Sequence, residues 1–235
     1  MRLNKYISFF LYLGAAVFIY AQTPEDRKAA ADLYYSMAYN ANPQAQLDVI
    51  KAIEPKIGKF RPEDARMVEV LFYLGSQGTL QKASTRNELN DVTSEHRARS
   101  LALLGKLGGE LARNACIKIL DAELQALNGG NTEVYAAGFT ALGMIGEDDS
   151  FQVNKLAARI FPRLTEKENR QNAISGIAFA LEKTAPEIPM SVLNSLGVIS
   201  VLRDLANEDV SGVLYHERVR SSAKTTLSKI VANSI

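Results

Sequence analysis

The feature that most constrains this chain is a segment written three times. "RMVEVLFYLGSQGT" (Arg66–Thr79), "HRARSLALLGKLGG" (His96–Gly109) and "VYAAGFTALGMIGE" (Val134–Glu147) superpose without gaps. Each is apolar at helical spacing, each carries a Leu-Gly pair, and each has a second glycine three residues after the first. "NRQNAISGIAFAL" (Asn169–Leu181) keeps the small-residue pattern with Ile177 and Ala178 in place of Leu-Gly. "RVRSSAKTTLSKIV" (Arg218–Val231) keeps Val219, Arg220, Ala223 and Leu227. A segment that recurs about every 35 residues in a helical chain cannot bury its apolar face alone and must stack on its neighbours.

The rest of the chain reads as helix as well. "DVIKAIEPKI" and "ACIKILDAEL" place apolar residues three and four apart, and no run alternates like a strand. Prolines and glycines then punctuate helices expected over 25–39, 43–58, 62–77, 80–91, 95–107, 110–127, 132–145, 150–163, 168–183, 190–206 and 214–233. The segment 80–91 is the weakest of these. The stretch Ala206–Glu217 reads as an inserted loop. Every second helix start falls near a common period until that loop widens the last one.

The stretch "ALGMIGEDDS" (Ala141–Ser150) tests this reading, because two glycines and three acids also suggest a ligand loop. A phosphate loop needs a preceding strand and a Gly-Lys-Ser/Thr ending. A calcium loop needs oxygens at alternating positions and a distal Glu. Neither is present. As helix punctuation the pieces fit. Gly143 lets the next helix approach, Gly146 ends the helix in a left-handed conformation, and the acids from Glu147 cap and charge the next helix start.

These segments resemble HEAT-like repeats, whose inner helix reads roughly Val-Arg-x-x-Ala-x-x-Ala-Leu-Gly. Arg97, Arg170 and Arg220 stand at the arginine of that pattern, with Tyr135 and Met67 in its place in two units. The resemblance implies an all-α, right-handed α-α superhelix of about five to six helix pairs over residues 22–235. It also implies a concave face that binds partners. HEAT-like oxygenases hold two irons through several histidines, but this chain has only His96 and His216. HEAT-like DNA glycosylases use Trp in a basic groove, but Trp is absent and 27 basic residues balance 26 acidic ones.

The N-terminus is a separate object. Arg2 and Lys5 precede an uncharged run, Tyr6–Tyr20, and a small residue, Ala21, before a polar stretch. That is the tripartite pattern of a secretory signal peptide over residues 1–21, and the run is short for a membrane span. The expectation is export to the periplasm or beyond, with no membrane insertion after cleavage; the alternative is an uncleaved N-terminal anchor. Cys116 is the single cysteine, so no internal disulfide forms, and its apolar neighbours mark it as a buried thiol.

No residue set has the makings of catalysis, and neither a cofactor nor a metal is expected. The chain reads as a non-enzymatic scaffold for a protein partner, with no nucleic acid involved. An accessory or inhibitory subunit of an envelope enzyme is the alternative, and an enzyme with an unrecognised site comes last. Candidate partner residues are Tyr34, Tyr35 and Tyr39 in "DLYYSMAYN", and Arg97, Tyr135, Arg170 and Arg220 on the inner helices. For the tyrosines the competing role is packing of the first helix. For arginines such as Arg97, Arg99, Arg218 and Arg220 it is a ladder of ion pairs between units.

Overall fold

The first two helices start at side chains that satisfy the free N–H groups of a first turn. Thr23 accepts from the Asp26 amide at 3.2 Å while the Asp26 carboxylate receives the Thr23 amide, a reciprocal box that starts α1 (Pro24–Ala38). Asn42 accepts from the Ala45 amide at 2.9 Å and starts α2 (Pro43–Ile53). In both, proline occupies the first helical position, where a missing N–H costs nothing.

The computed structural model describes residues 23–80, 93–126, 130–164, 170–207 and 215–234. After α2 a 3-10 turn, Glu54–Lys59, leads to α3 (Ala65–Gly75). Then come α4 (Ser94–Leu107), α5 (Gly109–Leu124), α6 (Thr132–Ile145), α7 (Gln152–Leu164) and α8 (Gln171–Thr184). Short α9 (Met190–Ser195), α10 (Val198–Ala206) and α11 (Glu217–Ala232) complete the chain. The expected helix over 80–91 and most of the expected loop 206–217 lie outside the described residues, as does the whole of 1–21.

The helices form two layers. Layer A runs α1, α3, α4, α6, α8, α11, each packed on the next, and contains the repeated segments. Layer B contains α2 with its 3-10 extension, α5, α7 and α10. Between them lies one continuous aliphatic core, in which Leu74, Leu104, Leu142 and Ile177 are fully buried at equivalent positions. The chain is therefore an all-α helical-repeat solenoid.

Two expected helices come out differently. The helix expected over 43–58 ends as α-helix at Ile53, because Pro55 has no N–H to give the carbonyl four residues back, and the chain continues as a 3-10 turn. The helix expected over 190–206 breaks at Gly197, which takes φ +81° and re-aims Val198, Leu202 and Leu205 into the core. Only glycine adopts that conformation without steric cost.

The stretch "ALGMIGEDDS" behaves as punctuation, with one surprise. Gly146 ends α6 at φ +75°. Asp148, expected as an ordinary cap, is buried. Its carboxylate accepts from the Val153 and Asn154 amides, both at 3.0 Å, and from Asn154 Nδ2 at 2.8 Å. Asn154 Nδ2 also donates to Thr184 Oγ1 at 3.0 Å, which ties the α6–α7 turn to the end of α8. Phe151, inside that turn, is held at φ +58°.

Candidate partner-binding face

Layer A is drawn together by small residues. A Cβ on Gly105 would lie 2.7 Å from the Cα of Ala141, and one on Gly143 would lie 3.2 Å from the Cα of Ala180. Backbones thus approach closely between α4 and α6 and between α6 and α8. In layer B, α7 and α10 contain no glycine, and Ile160, Phe161 and Leu202 fill the space. A stack with narrower spacing in one layer curves toward it, so layer A lies on the inner side.

The inner surface is lined, at three- and four-residue spacing, by side chains that are exposed or only partly buried. On α6 these are Glu133, Ala137, Thr140 and Met144, the last 52% exposed. On α8 they are Asn172, Ser175, Phe179 and Lys183, whose ammonium sits 5.6 Å from the Phe179 ring. The middle of this face is shallow and mixed in polarity.

At the α1–α3 end the character changes. Tyr35 stacks on Tyr39 with ring centroids 5.6 Å apart and planes 21° from parallel. Tyr73 of α3 packs against both rings, at 5.6 Å and 5.8 Å. The Arg66 guanidinium lies over the Tyr35 ring, 4.1 Å from its centroid. Arg66 is fixed there by Asp32 at 2.6 Å and Glu69 at 2.7 Å, and these bonds raise its already high pKa, Glu69 first. Alongside runs an open groove of about 620 Å³, lined among others by Pro24, Lys28, Asp32, Glu63 and Glu69. Its floor is closed by Arg27, which donates to Asp64 at 2.7 Å with both side chains nearly buried.

The candidate residues from the sequence divide sharply. Tyr35 and Tyr39 lie together on an open surface, and Tyr39 is 53% exposed. Arg170 and Arg220 are half-buried toward the other end of the stack and do not join them. Tyr34, Arg97 and Tyr135 are buried and offer nothing to a partner. Tyr34 faces α2, where its hydroxyl donates to the Ala52 carbonyl, and burial pushes its pKa up. Tyr135 is enclosed in the same way.

Arg97 belongs to the ladder instead. Its Nε lies 2.8 Å from Glu123 of α5, and its Nη1 donates to Thr93 and to the Gln77 carbonyl. Glu123 in turn accepts from the Asn131 amide at 2.7 Å, so this pair joins three successive units. Arg99 reaches Glu54 at 2.7 Å, and Arg159 of α7 reaches Asp121 of α5 at 2.8 Å. In three units, at Met67, Arg97 and Tyr135, the motif position that held the arginine is buried within the stack, away from the inner surface. Reasoning from the motif therefore missed the residues that complete the tyrosine cluster, Arg66 and Tyr73. Their signal was spacing: Arg66, Glu69 and Tyr73 share one stripe of α3, as Asp32 and Tyr35 do on α1 with Tyr39 at its C-cap.

The other reactive groups are enclosed or isolated. His96 is buried, with Nε2 2.7 Å from the Pro43 carbonyl, to which it donates. Cys116 is fully buried, which pushes its thiol pKa up. Among the described residues no three His, Cys, Asp or Glu side chains group as metal ligands, and no helix is long and apolar enough to cross a membrane.

No protein-family model matches this sequence. No curated protein matches it either. Among solved structures the chain is similar to computationally designed armadillo repeat proteins for modular peptide recognition. That match has a TM-score of 0.59 and 15% identity over 97% of this chain and 94% of the other. A further match is an engineered protein at 17% identity and a TM-score of 0.47, covering 95% and 97% of the two chains. The first likeness establishes the helical-repeat solenoid fold.

Proposed function

We propose that this chain is an exported, HEAT-like scaffold that binds a protein partner by holding an extended segment along the inner surface of layer A. The observation that carries the reading is the Arg66–Tyr35–Tyr39–Tyr73 cluster. Tyrosine and arginine are enriched among the residues that dominate the energetics of protein interfaces, tyrosine because it brings large, amphipathic area at small entropic cost. Here they stand at the rim of a face whose other residues leave room for a main chain. The fold is shared with proteins built for peptide recognition, which favours an extended ligand over a small molecule. Export rests on the charged, apolar and small residues of the first 21 positions. The arginine ladder, buried at Arg97, serves the scaffold itself, keeping successive units in register.

The test is selection of a displayed random-peptide library on the full chain, followed by variants of each layer. Peptides bound over α6 and α8 of layer A lose affinity with Met144→Asp or Phe179→Asp, those bound over α1 and α3 lose it with Tyr39→Ala, and both keep it with Lys155→Asp on α7. Selected peptides that respond only to the layer B change would refute the placement. A library that yields no binder would refute the scaffold reading. Export is checked separately, by N-terminal sequencing of the secreted or periplasmic form, which should begin at Gln22.

A further inference from the structure

The α1–α3 end carries a more specific message than the rest of the inner surface. Arg66, Tyr35 and Tyr39 form a column in which a guanidinium covers one ring and that ring stacks on the next. The column stops at Tyr39, which is 53% exposed. A planar group that stacks on tyrosine would extend it by one step. The protein itself shows which group suits this surface, since Arg66 makes the same stacking arrangement one ring earlier.

The charge around the column points the same way. Arg27 is closed off by its 2.7 Å pair with Asp64, and Arg66 is engaged by two carboxylates and a ring. The carboxylates remain more accessible than the cations they hold: Asp32 and Glu69 side chains are 47% and 60% exposed, against 31% for Arg66. Glu63 is exposed on the same groove, so the three accessible carboxylates Asp32, Glu63 and Glu69 face the accessible cation Lys28 and the partly exposed Arg66. Such a surface repels phosphate and carboxylate ligands and attracts a cationic one. Its length fits a peptide. An α-helix of α3's 11 residues is about 16 Å long, which an extended segment of about five residues matches.

We infer that the groove between α1 and α3 takes an extended, arginine-bearing segment of a protein partner, with one guanidinium on the open face of Tyr39 and further basic side chains along Asp32, Glu63 and Glu69. The inference rests on the scaffold reading above and narrows it. Arginine is favoured over lysine because its flat, weakly hydrated guanidinium stacks on an aromatic face while its N–H groups stay free for carboxylates.

Fluorescence anisotropy on the full chain separates the outcomes. The probes are four labelled Gly/Ser nonapeptides carrying three arginines, three lysines, three citrullines or three glutamates at alternate positions. The arginine peptide should bind, the lysine peptide should bind at least about 5-fold more weakly, and the other two should not register. Tyr39→Ala should weaken the arginine peptide about 10-fold with an unchanged thermal melt, since Tyr39 is mostly outside the core. Glu69→Gln should weaken it and flatten its salt dependence, while Met144→Asp leaves it unaltered. Equal binding of arginine and lysine peptides, indifferent to Tyr39→Ala, overturns the inference. So does concentration-dependent self-association abolished by Tyr39→Ala, which would make a second copy the occupant. If the arginine peptide fails at 1 mM while library-selected peptides still bind over α4 to α8, this inference falls and the scaffold reading stands. If no peptide binds anywhere, both fall.

Discussion

Replacing Gly105 by alanine tests the packing of layer A at its tightest point. On helix propensity alone the change should help, since alanine is favoured over glycine by about 1 kcal/mol inside a helix. The structure predicts the opposite sign. The added Cβ would meet the Cα of Ala141 at 2.7 Å and its Cβ at 2.8 Å, and a backbone atom cannot swing aside as a side-chain tip can. Overpacking of this kind costs about 1–3 kcal/mol, and the clash with backbone places Gly105→Ala at the upper end. The net loss is about 2 kcal/mol. With a urea slope of about 3 kcal/mol/M for a chain of this size, the midpoint falls by roughly 0.7 M. The control is Gly58→Ala, where a Cβ meets nothing within 4 Å and the backbone is not left-handed. That change should stabilise by about 0.4–1 kcal/mol. Adding Ala141→Gly to Gly105→Ala should recover only part of the loss, because the clash with the residue 141 main chain remains. Urea titrations followed by circular dichroism, with slopes compared to detect uncoupled repeats, give all four values. A Gly105→Ala midpoint at or above that of the parent would refute the close approach of α4 and α6, and with it the curvature toward layer A.

Leu142→Ala should cost about 2–5 kcal/mol, as a large-to-small change in a sealed core. Asp148→Ala should cost about 2–4 kcal/mol rather than the small penalty of an exposed cap, because it strands the Val153 and Asn154 amides; chemical denaturation of both variants checks this ranking. Arg97→Ala should cost about 3–5 kcal/mol by leaving the buried Glu123 without its partner, whereas the paired change Arg97→Met with Glu123→Leu should recover only part of this, because the Asn131 amide and the Gln77 carbonyl still lose their partners. Thermal melts of the three proteins decide it. Stability should decline on the alkaline side. Burial raises the folded pKa of Cys116, Tyr34 and Tyr135, so the stability each contributes is complete below its unfolded pKa and is lost as pH rises above it. The loss begins near pH 8.5 with Cys116, at up to about 1.4 kcal/mol per pH unit, and the tyrosines add to it above about pH 10. Urea midpoints at pH 7, 9 and 10.5 measure the slope, and Cys116→Ala should remove its first part.

Most of the architecture was legible because one physical device is repeated. A Leu-Gly pair marks both a buried side chain and a close backbone approach, and three clear copies sufficed to phase the helices. The boundaries went astray where one residue carried a second meaning. Gly197 lies inside the helix expected over 190–206, yet it is the left-handed stop that splits it. Pro55 was passed over because α2 stays apolar and periodic up to it. The candidate site was less legible for a topological reason. A motif aligns residues along the chain, but a binding surface is assembled between neighbouring helices. Arg97 and Tyr135 were chosen by alignment and fell inside the stack, where the partners that bury them, Glu123 above all, lie on another helix. Tyr35 and Tyr39 were found as a local cluster, yet the residues that make it a site, Arg66 and Tyr73, come from the next unit.

The most direct test of the account is hydrogen–deuterium exchange on the full chain, with and without the tightest library-selected peptide. Bound peptide should slow exchange in α1, α3 and the inner helices α4, α6 and α8, most strongly around Tyr35–Asn40, and leave α5, α7 and α10 unchanged. Protection concentrated in α5, α7 and α10, with layer A exchanging as before, would contradict it.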